Sequence, residues 1–253
     1  MIRRSSSTHR GTTGTARGVT LAARLLFALL PGFRTVFDLA PQPGDVFWTP
    51  SDWAWLGALG EVVLAAAYLG CPIVASPGRF SAAGSYEIMS ADAVTCAFLA
   101  PVVLRRMRQS PPPVGMRFAL RAIMTGGERF TGEIRRFVED SFGASLNDDY
   151  GLTEGTHLAV GCEAAFRNPP GAVGRALPGR DIAVLAADDD DSVAAGQLGE
   201  IAVAAADPIV MLGYWNAGAS IGARSPAAGS GRVTSARWMP TDFSGFSVAS
   251  AMS

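Results

Sequence analysis

The chain has 253 residues, 49% of them apolar and 17% charged, with a formal net charge of -1. That is enough for one large domain or two small ones around a buried core; it excludes intrinsic disorder as the overall state and offers no basic surface for nucleic acid. All 21 basic residues are arginines, so any step that needs a lysine is excluded within this polypeptide.

Residues 1–18 form a polar leader rich in Ser, Thr, Gly and Arg. The apolar run 19–30 predicts a buried amphipathic helix with Leu21, Leu25, Leu26 and Leu29 on one stripe. Read as a signal or anchor, the same run is interrupted by Arg24 and is too short to span a bilayer. Pro31, Gly32, Pro41, Pro43 and Gly44 predict a loop. A helix is expected over 53–69, stopped by Gly70, then a short strand over 72–76 and a short helix over 85–90. A buried strand over 93–100 leads into a helix over 101–108, with Pro101 in the first-turn position where proline fits. The run 120–124 predicts a strand that ends in Thr125-Gly126-Gly127-Glu128. Thr131 is placed to cap a helix with Ile134, Phe137 and Val138 on one face, and Gly143 stops it. A further strand is expected over 145–150.

Strands alternating with helices argue for an α/β fold, a parallel sheet with flanking helices. Beyond Gly171, short strand-like runs separated by Gly and Pro predict a small β-barrel-like subdomain. The expected organisation is a leader (1–18), an α/β core (19–170), a β subdomain (171–216) and a flexible tail (217–253). The four aspartates 188–191 read as a solvated turn rather than a metal site. Cys71, Cys96 and Cys162 form no CxxC pair, and the only histidines are His9 and His157. This argues against zinc and for reduced thiols in the cytoplasm.

Three segments carry candidate chemistry. Asp149-Tyr150-Gly151-Leu152-Thr153-Glu154 falls at the carboxyl end of a predicted strand, the edge at which parallel sheets bind ligands. There Tyr150 offers an aromatic face for a base, Gly151 a close backbone approach, Thr153 a hydroxyl for a phosphate and Glu154 a hard oxygen for Mg²⁺. Gly127 and Glu128 end a second strand at the same edge. Gly11-Thr12-Thr13-Gly14-Thr15-Ala16-Arg17-Gly18 can wrap phosphates with backbone N–H groups, with Arg17 as the cation. It lacks the Walker pattern. Each segment alone reads equally as an ordinary turn or a polar leader.

Together and in this order they resemble the AMP-forming acyl-CoA synthetases, of the adenylate-forming (AMP-binding) family. Gly11 to Gly18 is similar to that family's T-S-G-T-T-G-x-P-K-G loop, Tyr150-Gly151-Leu152-Thr153-Glu154 to its Y-G-x-T-E motif, and Gly127-Glu128 to its adenine-side G-E. Gly199-Glu200-Ile201 and Gly213-Tyr214 resemble its G-E-[IL] and G-Y segments. Trp48, Ser51-Asp52, Trp55 and Thr95…Pro101 resemble the acetyl- to medium-chain branch. The resemblance implies ATP-dependent activation of a short- or medium-chain carboxylic acid to acyl-AMP and then acyl-CoA, with ATP/AMP, Mg²⁺ and coenzyme A as cofactors or co-substrates. It implies that Gly11, Thr12, Thr13 and Gly14 cradle phosphates and that Gly127, Glu128, Asp149, Tyr150 and Gly151 line the nucleotide. Thr153 and Arg17 would act on the phosphates, and Glu154 would hold the metal.

The chain departs from the pattern in several places. Arg17 stands where the family has Lys, and Arg10 replaces a small residue. Trp238-Met239-Pro240-Thr241-Asp242 resembles W-x-x-T-G-D without its Gly, which leaves Asp242 a weaker ribose ligand. The mobile C-terminal lid with its lysine has no counterpart, nor does most of the region before the phosphate loop. The expectation is therefore a partial N-terminal domain, truncated at both ends, with no membrane span. Two alternatives stay open: a non-catalytic remnant that retains weak ATP or AMP binding, and an envelope protein led by residues 19–30. A separate chain supplying the lid is a further implied partner.

Overall fold

The computed structural model describes residues 5–9, 17–76, 78–168, 171–186, 192–194, 197, 200–204 and 206–215. The phosphate-loop residues Gly11, Thr12, Thr13 and Gly14, the aspartates 188–191, the tail and Asp242 lie outside these.

The chain folds as mixed α/β around a seven-stranded sheet. In chain order its strands are β3 (Phe47–Trp48), β4 (Ile73–Val74), β5 (Cys96–Phe98), β6 (Ala122–Gly126), β7 (Ser145–Leu152), β8 (Gly155–Val160) and β9 (Arg175–Ala176). They lie in the order β4-β3-β5-β6-β7-β8-β9. The pairings from β4 through β7 are parallel, and β7–β8 and β8–β9 are antiparallel. Side-chain alternation along the parallel strands explains why both faces are covered. Trp48, Ala97 and Ile123 point to one face, against the buried sides of α4 (Ala82–Ala91), α5 (Pro101–Gln109) and α6 (Gly132–Phe142). Phe47, Cys96, Phe98, Ala122 and Met124 point to the other, against Phe33 and Val36 of α1 (Leu25–Val36), Phe37 just past it, and Val62, Ala65 and Ala66.

The helices follow their apolar spacing. In α6, Ile134, Val138 and Phe142 recur every four residues and are buried. At roughly 1.5–3 kcal/mol for each side chain taken from water, that stripe outweighs the helix's own weak propensity terms. Gly143 ends it in the left-handed region, φ 63°, a conformation that costs glycine nothing. Thr131 occupies the capping position, but its hydroxyl makes no cap hydrogen bond. Ser81 does cap α4, accepting from the Gly84 N–H at 3.1 Å.

The structure departs from the expected elements in four places that matter for the site. Residues Arg17–Leu21 are a strand, β2, which pairs antiparallel with β1 (Ser5–His9) and with β12 (Gly213–Tyr214). The helix begins only at Leu25 and runs to Val36, straight through Pro31 and Gly32, where a loop was expected. Proline removes one backbone bond there. The helix continues because Leu29, Phe33 and Val36 bury on its inner side, so tertiary packing overrides the local signal. Leu21, Leu25 and Leu29 still share one apolar cluster. The expected helix over 53–69 starts at Leu56 and contains a π-helical segment, Leu59–Leu64, between α2 (Leu56–Ala58) and α3 (Ala65–Tyr68). Finally, Gly155–Val160, for which the pattern predicts no element, is β8.

The strands beyond Gly171 divide among three sheets. β9 extends the large sheet, β10 (Ile182–Leu185) pairs with β11 (Glu200–Val203), and β12 joins the β1–β2 hairpin. No helix of the described residues is long and apolar enough to cross a membrane. The three cysteines are free thiols.

Candidate active site at the carboxyl edge of the sheet

The parallel strands β5, β6 and β7 end side by side, and a cavity of about 210 Å³ opens there. Phe98 comes from the end of β5, Gly126 and Gly127 from the end of β6, and Asp149, Gly151 and Thr153 from the end of β7. Trp55, Gly57 and Glu61 close the opposite wall. Two of the sequence motifs therefore meet around one space.

Small residues make this approach possible. A Cβ on Gly126 would lie 2.5 Å from the Asp149 carbonyl oxygen, so only glycine lets β6 and β7 close at this point. Gly151 stands in a β-bulge between Tyr150 and Leu152, and its Cβ would lie 2.7 Å from the His157 nitrogen. Gly127 adopts φ 89° under the Trp55 indole, whose Cη2 is 3.4 Å from the position a Cβ would take.

Alternation along β7 separates its side chains. Asp149 and Gly151 face the cavity; Tyr150, only 9% exposed, packs into the apolar cluster of Val19, Leu158 and Ile201. The Tyr150 ring thus belongs to the core beside β2 and does not line the cavity. Glu154 is also buried, and its Oε1 accepts the Tyr214 hydroxyl at 2.8 Å. Because Tyr214 pairs with Val19 of β2, that carboxylate lies near the strand that begins at Arg17. Glu128 is engaged elsewhere: it forms a 2.6 Å ion pair with Arg105 and accepts the Val102 N–H at 3.1 Å, which caps the start of α5.

The sequence motifs missed two residues of the site. His157 is fully buried, and its Nδ1 lies 2.9 Å from Asp149 Oδ1. Its backbone sits at φ 48°, a left-handed conformation that costs a non-glycine residue roughly 1–2 kcal/mol. The ring fits against α1 only because residue 32 is glycine: a Cβ there would be 2.4 Å from His157 Cγ. Glu61, on the π-helical segment, is the third member of the group. Donor atoms of Glu61, Asp149 and His157 all lie within 4.8 Å of one another. This spacing suits one cation, but Nδ1 is already held by Asp149, and the group reads as an imidazole–carboxylate pair with a second carboxylate beside it. No signal in the sequence marks either residue; the π-helical turn and the positive-φ histidine, each a strained position, are seen only in the fold.

Electrostatics within the group are strong. Burial alone would depress the His157 imidazole, but the charges of Asp149 and Glu61 outweigh it and raise its pKa to about 9. Burial raises the Glu61 carboxyl to about 7, with Asp149 adding to the rise and His157 opposing it. Asp148, also buried and next to Asp149, is raised to about 7. A buried acid and base with separated protonation behaviour, on a cavity wall, is the arrangement expected of a functional site.

A mostly parallel α/β sheet with a cavity at its strand ends is the arrangement in which α/β folds bind nucleotides. Residues 11–215 match the family model described as AMP-binding enzyme, and the chain belongs to that family. It is 26% identical over 211 residues to human acyl-CoA synthetase short-chain family member 3, mitochondrial, covering 76% of this chain and 30% of that protein. It is 27% identical over 210 residues to the uncharacterized acyl–CoA ligase YtcI of Bacillus subtilis, covering 81% and 38%. The chain thus spans about a third of the length of the curated relatives it matches. The Brucella canis acyl-CoA synthetase structure superposes with a TM-score of 0.75 at 26% identity, over 84% of this chain and 39% of that one. ATP-bound MatB from Rhodopseudomonas palustris shares the fold, with a TM-score of 0.73 at 22% identity over 83% and 41%.

Proposed function

We propose that the site activates a short- or medium-chain carboxylic acid with ATP, as an acid–thiol ligase. A carboxylate oxygen attacks the α-phosphorus, the bond to the β-phosphate oxygen breaks, and pyrophosphate leaves. The thiol of coenzyme A then attacks the acyl carbon, and AMP leaves. The observation that carries this reading is the convergence of Gly127, Asp149, Gly151 and Thr153 on one cavity at the strand ends.

In this reading Thr153 contacts the α-phosphate, and Gly11, Thr12, Thr13, Gly14 and Arg17 receive the remaining phosphates. Gly127 and Gly151 give the nucleotide close backbone approach, and Asp242 reaches the ribose. Glu154 is buried and one of its oxygens accepts the Tyr214 hydroxyl; a single carboxylate there would give Mg²⁺ one hard ligand, with phosphate oxygens completing the shell. When bound, the ion would neutralise phosphate charge. Tyr150 supports the turn from the core side. The cytoplasm is the proposed location.

The second reading, nucleotide binding without catalysis, is favoured by Arg17, which stands where the resembled phosphate loop carries a lysine and offers a different geometry. Loss of one preorganised cation or donor at a transition state typically costs about 3–4 kcal/mol, or 10²–10³ in rate. ATP–pyrophosphate exchange separates the two. Under the first reading the chain exchanges label in the presence of a short acid, and a lysine-bearing lid domain added as a separate chain raises the rate about 10²- to 10³-fold. Calorimetric binding of MgATP with no exchange under either condition would leave the remnant reading.

A further inference from the structure

We propose that the acid this cavity accepts carries a positively charged, alkylated nitrogen at the end away from its carboxylate, seated against Trp55, Phe98 and Glu61. This rests on reading the Trp55–Glu61 wall of the cavity as the acyl end of the site, opposite the strand ends given above to the nucleotide.

The walls carry the inference. Trp55 and Phe98 meet with ring centroids 5.2 Å apart and planes inclined at 45°, and both line the cavity. Glu61 is 6% exposed and lines it too. A Cβ on Gly57 would lie 3.3 Å from the Trp55 indole and 3.4 Å from Glu61 Oε2, so ring and carboxylate flank the same small gap. Leu56, Met124 and Leu152 supply the remaining apolar surface. A pocket for a plain alkyl chain gains nothing from a buried carboxylate; covering it with hydrocarbon removes its last water and costs several kcal/mol unless it takes up a proton.

Charge counting agrees. With its pKa raised to about 9, the His157 imidazole sits as the positive partner of Asp149. Glu61 is then neutralised only when it takes up a proton, which burial favours up to about pH 7. For the ionised carboxylate an onium nitrogen supplies the missing charge, and its alkyl groups suit the apolar surface of Leu56, Met124 and Leu152. A cation against tryptophan is worth roughly 0.5–2 kcal/mol. The titration behaviour is consistent: Glu61 has a pKa near 7, with Asp149 and His157 facing it and Arg180 acting on His157. A cation beside it lowers that value, so binding at neutral pH releases a proton.

The test is calorimetric titration of the full chain, saturated with MgATP, with two acids that differ by one atom. These are 4-(trimethylammonio)butanoate and 5,5-dimethylhexanoate, in which carbon replaces nitrogen. The onium acid should bind at least tenfold tighter, with heats that vary with buffer ionisation as one proton or less leaves. Glu61→Gln should erase the preference, and so should Trp55→Leu, a substitution on a 39%-exposed side chain that leaves the core intact. Equal or tighter binding of the neutral acid by the parent chain would overturn the proposal while leaving the cavity an acid site. If ATP binds and neither acid does, the acyl-site reading fails and takes this proposal with it.

Discussion

Gly32 shows how much of the site depends on the absence of one methyl group. The His157 ring occupies the space a side chain at position 32 would need, 2.4–2.6 Å from its Cβ. Helix α1 and strand β8 are therefore registered against each other through a histidine that Asp149 holds from the other side. Gly32→Ala keeps helix propensity, which by itself favours alanine, yet it must displace the ring or the helix. Overpacking of this kind costs about 1–3 kcal/mol. We expect a lower melting temperature for Gly32→Ala, and recovery of much of the loss when His157→Ala is added. The thermal unfolding midpoints of the two variants and the double variant check this; a stabilised Gly32→Ala would refute the contact. The motif residues at this scale were legible in part. Gly127, Asp149, Gly151 and Thr153 fall where a strand-end site puts them. Tyr150 and Glu128 do not, because strand alternation turns one inward and an α5 cap claims the other. Glu61 and His157 look in sequence like a helix acid and an isolated histidine; only the fold brings positions 61, 149 and 157 together.

At the scale of elements, the amino ends of the parallel strands are tied by one ion pair. Arg121, just before β6, donates from Nε and Nη2 to the two oxygens of Asp45 at 2.8 and 2.6 Å. Its Nη1 reaches the Phe37 carbonyl, past the end of α1, at 2.9 Å. Asp45 also accepts the Gln42 N–H at 2.7 Å and the Thr95 hydroxyl at 3.0 Å. One fork thus joins α1, β3, β5 and β6, which between them hold the cavity walls. Burial would raise the Asp45 pKa, but the Arg121 hydrogen bonds and charge together with the backbone N–H outweigh it and hold the carboxyl below its usual value. Asp45→Ala leaves the guanidinium partly buried without its partner. Such a break costs about 3–5 kcal/mol when fully buried; Arg121 is 24% exposed, so about 2–3 kcal/mol is expected, measured by denaturant unfolding. A loss below about 0.5 kcal/mol would mean that the fork is a surface pair. The parallel strands and the helices α4 to α6 were legible because period-2 and period-4 burial patterns coincide with their ends. The strand at Arg17–Leu21 and the unbroken helix through Pro31 were not: the strand is set by pairing with β1 on one side and β12 on the other, and the helix by burial of Leu29, Phe33 and Val36.

For the molecule as a whole, the buried titrating groups set how stability changes with pH. The Glu61 carboxyl and the His157 imidazole both have folded pKa values above their unfolded ones. A raised folded pKa means the native state binds the proton more tightly than the unfolded chain. The stabilisation from that proton is full below the unfolded pKa and is lost as pH rises through the folded value. For Glu61 the window runs from 4.5 to about 7, and for His157 from 6.5 to about 9. Asp45 works in the opposite sense. Its depressed carboxyl stabilises above the unfolded value of 3.8 and loses that contribution as pH falls further. The sum is a maximum on the acid side, near pH 5, and a decline toward pH 9 on the order of several kcal/mol, to which the raised Asp148 carboxyl also contributes. Asp149→Asn removes the main charge that raises the imidazole and one that raises Glu61, so the decline between pH 6.5 and 9 should flatten in that variant while its stability falls throughout. Denaturant unfolding at half-unit pH steps would show this. A parent chain more stable at pH 9 than at pH 6 would mean that His157 is buried neutral, and the charge balance around the cavity would have to be redrawn.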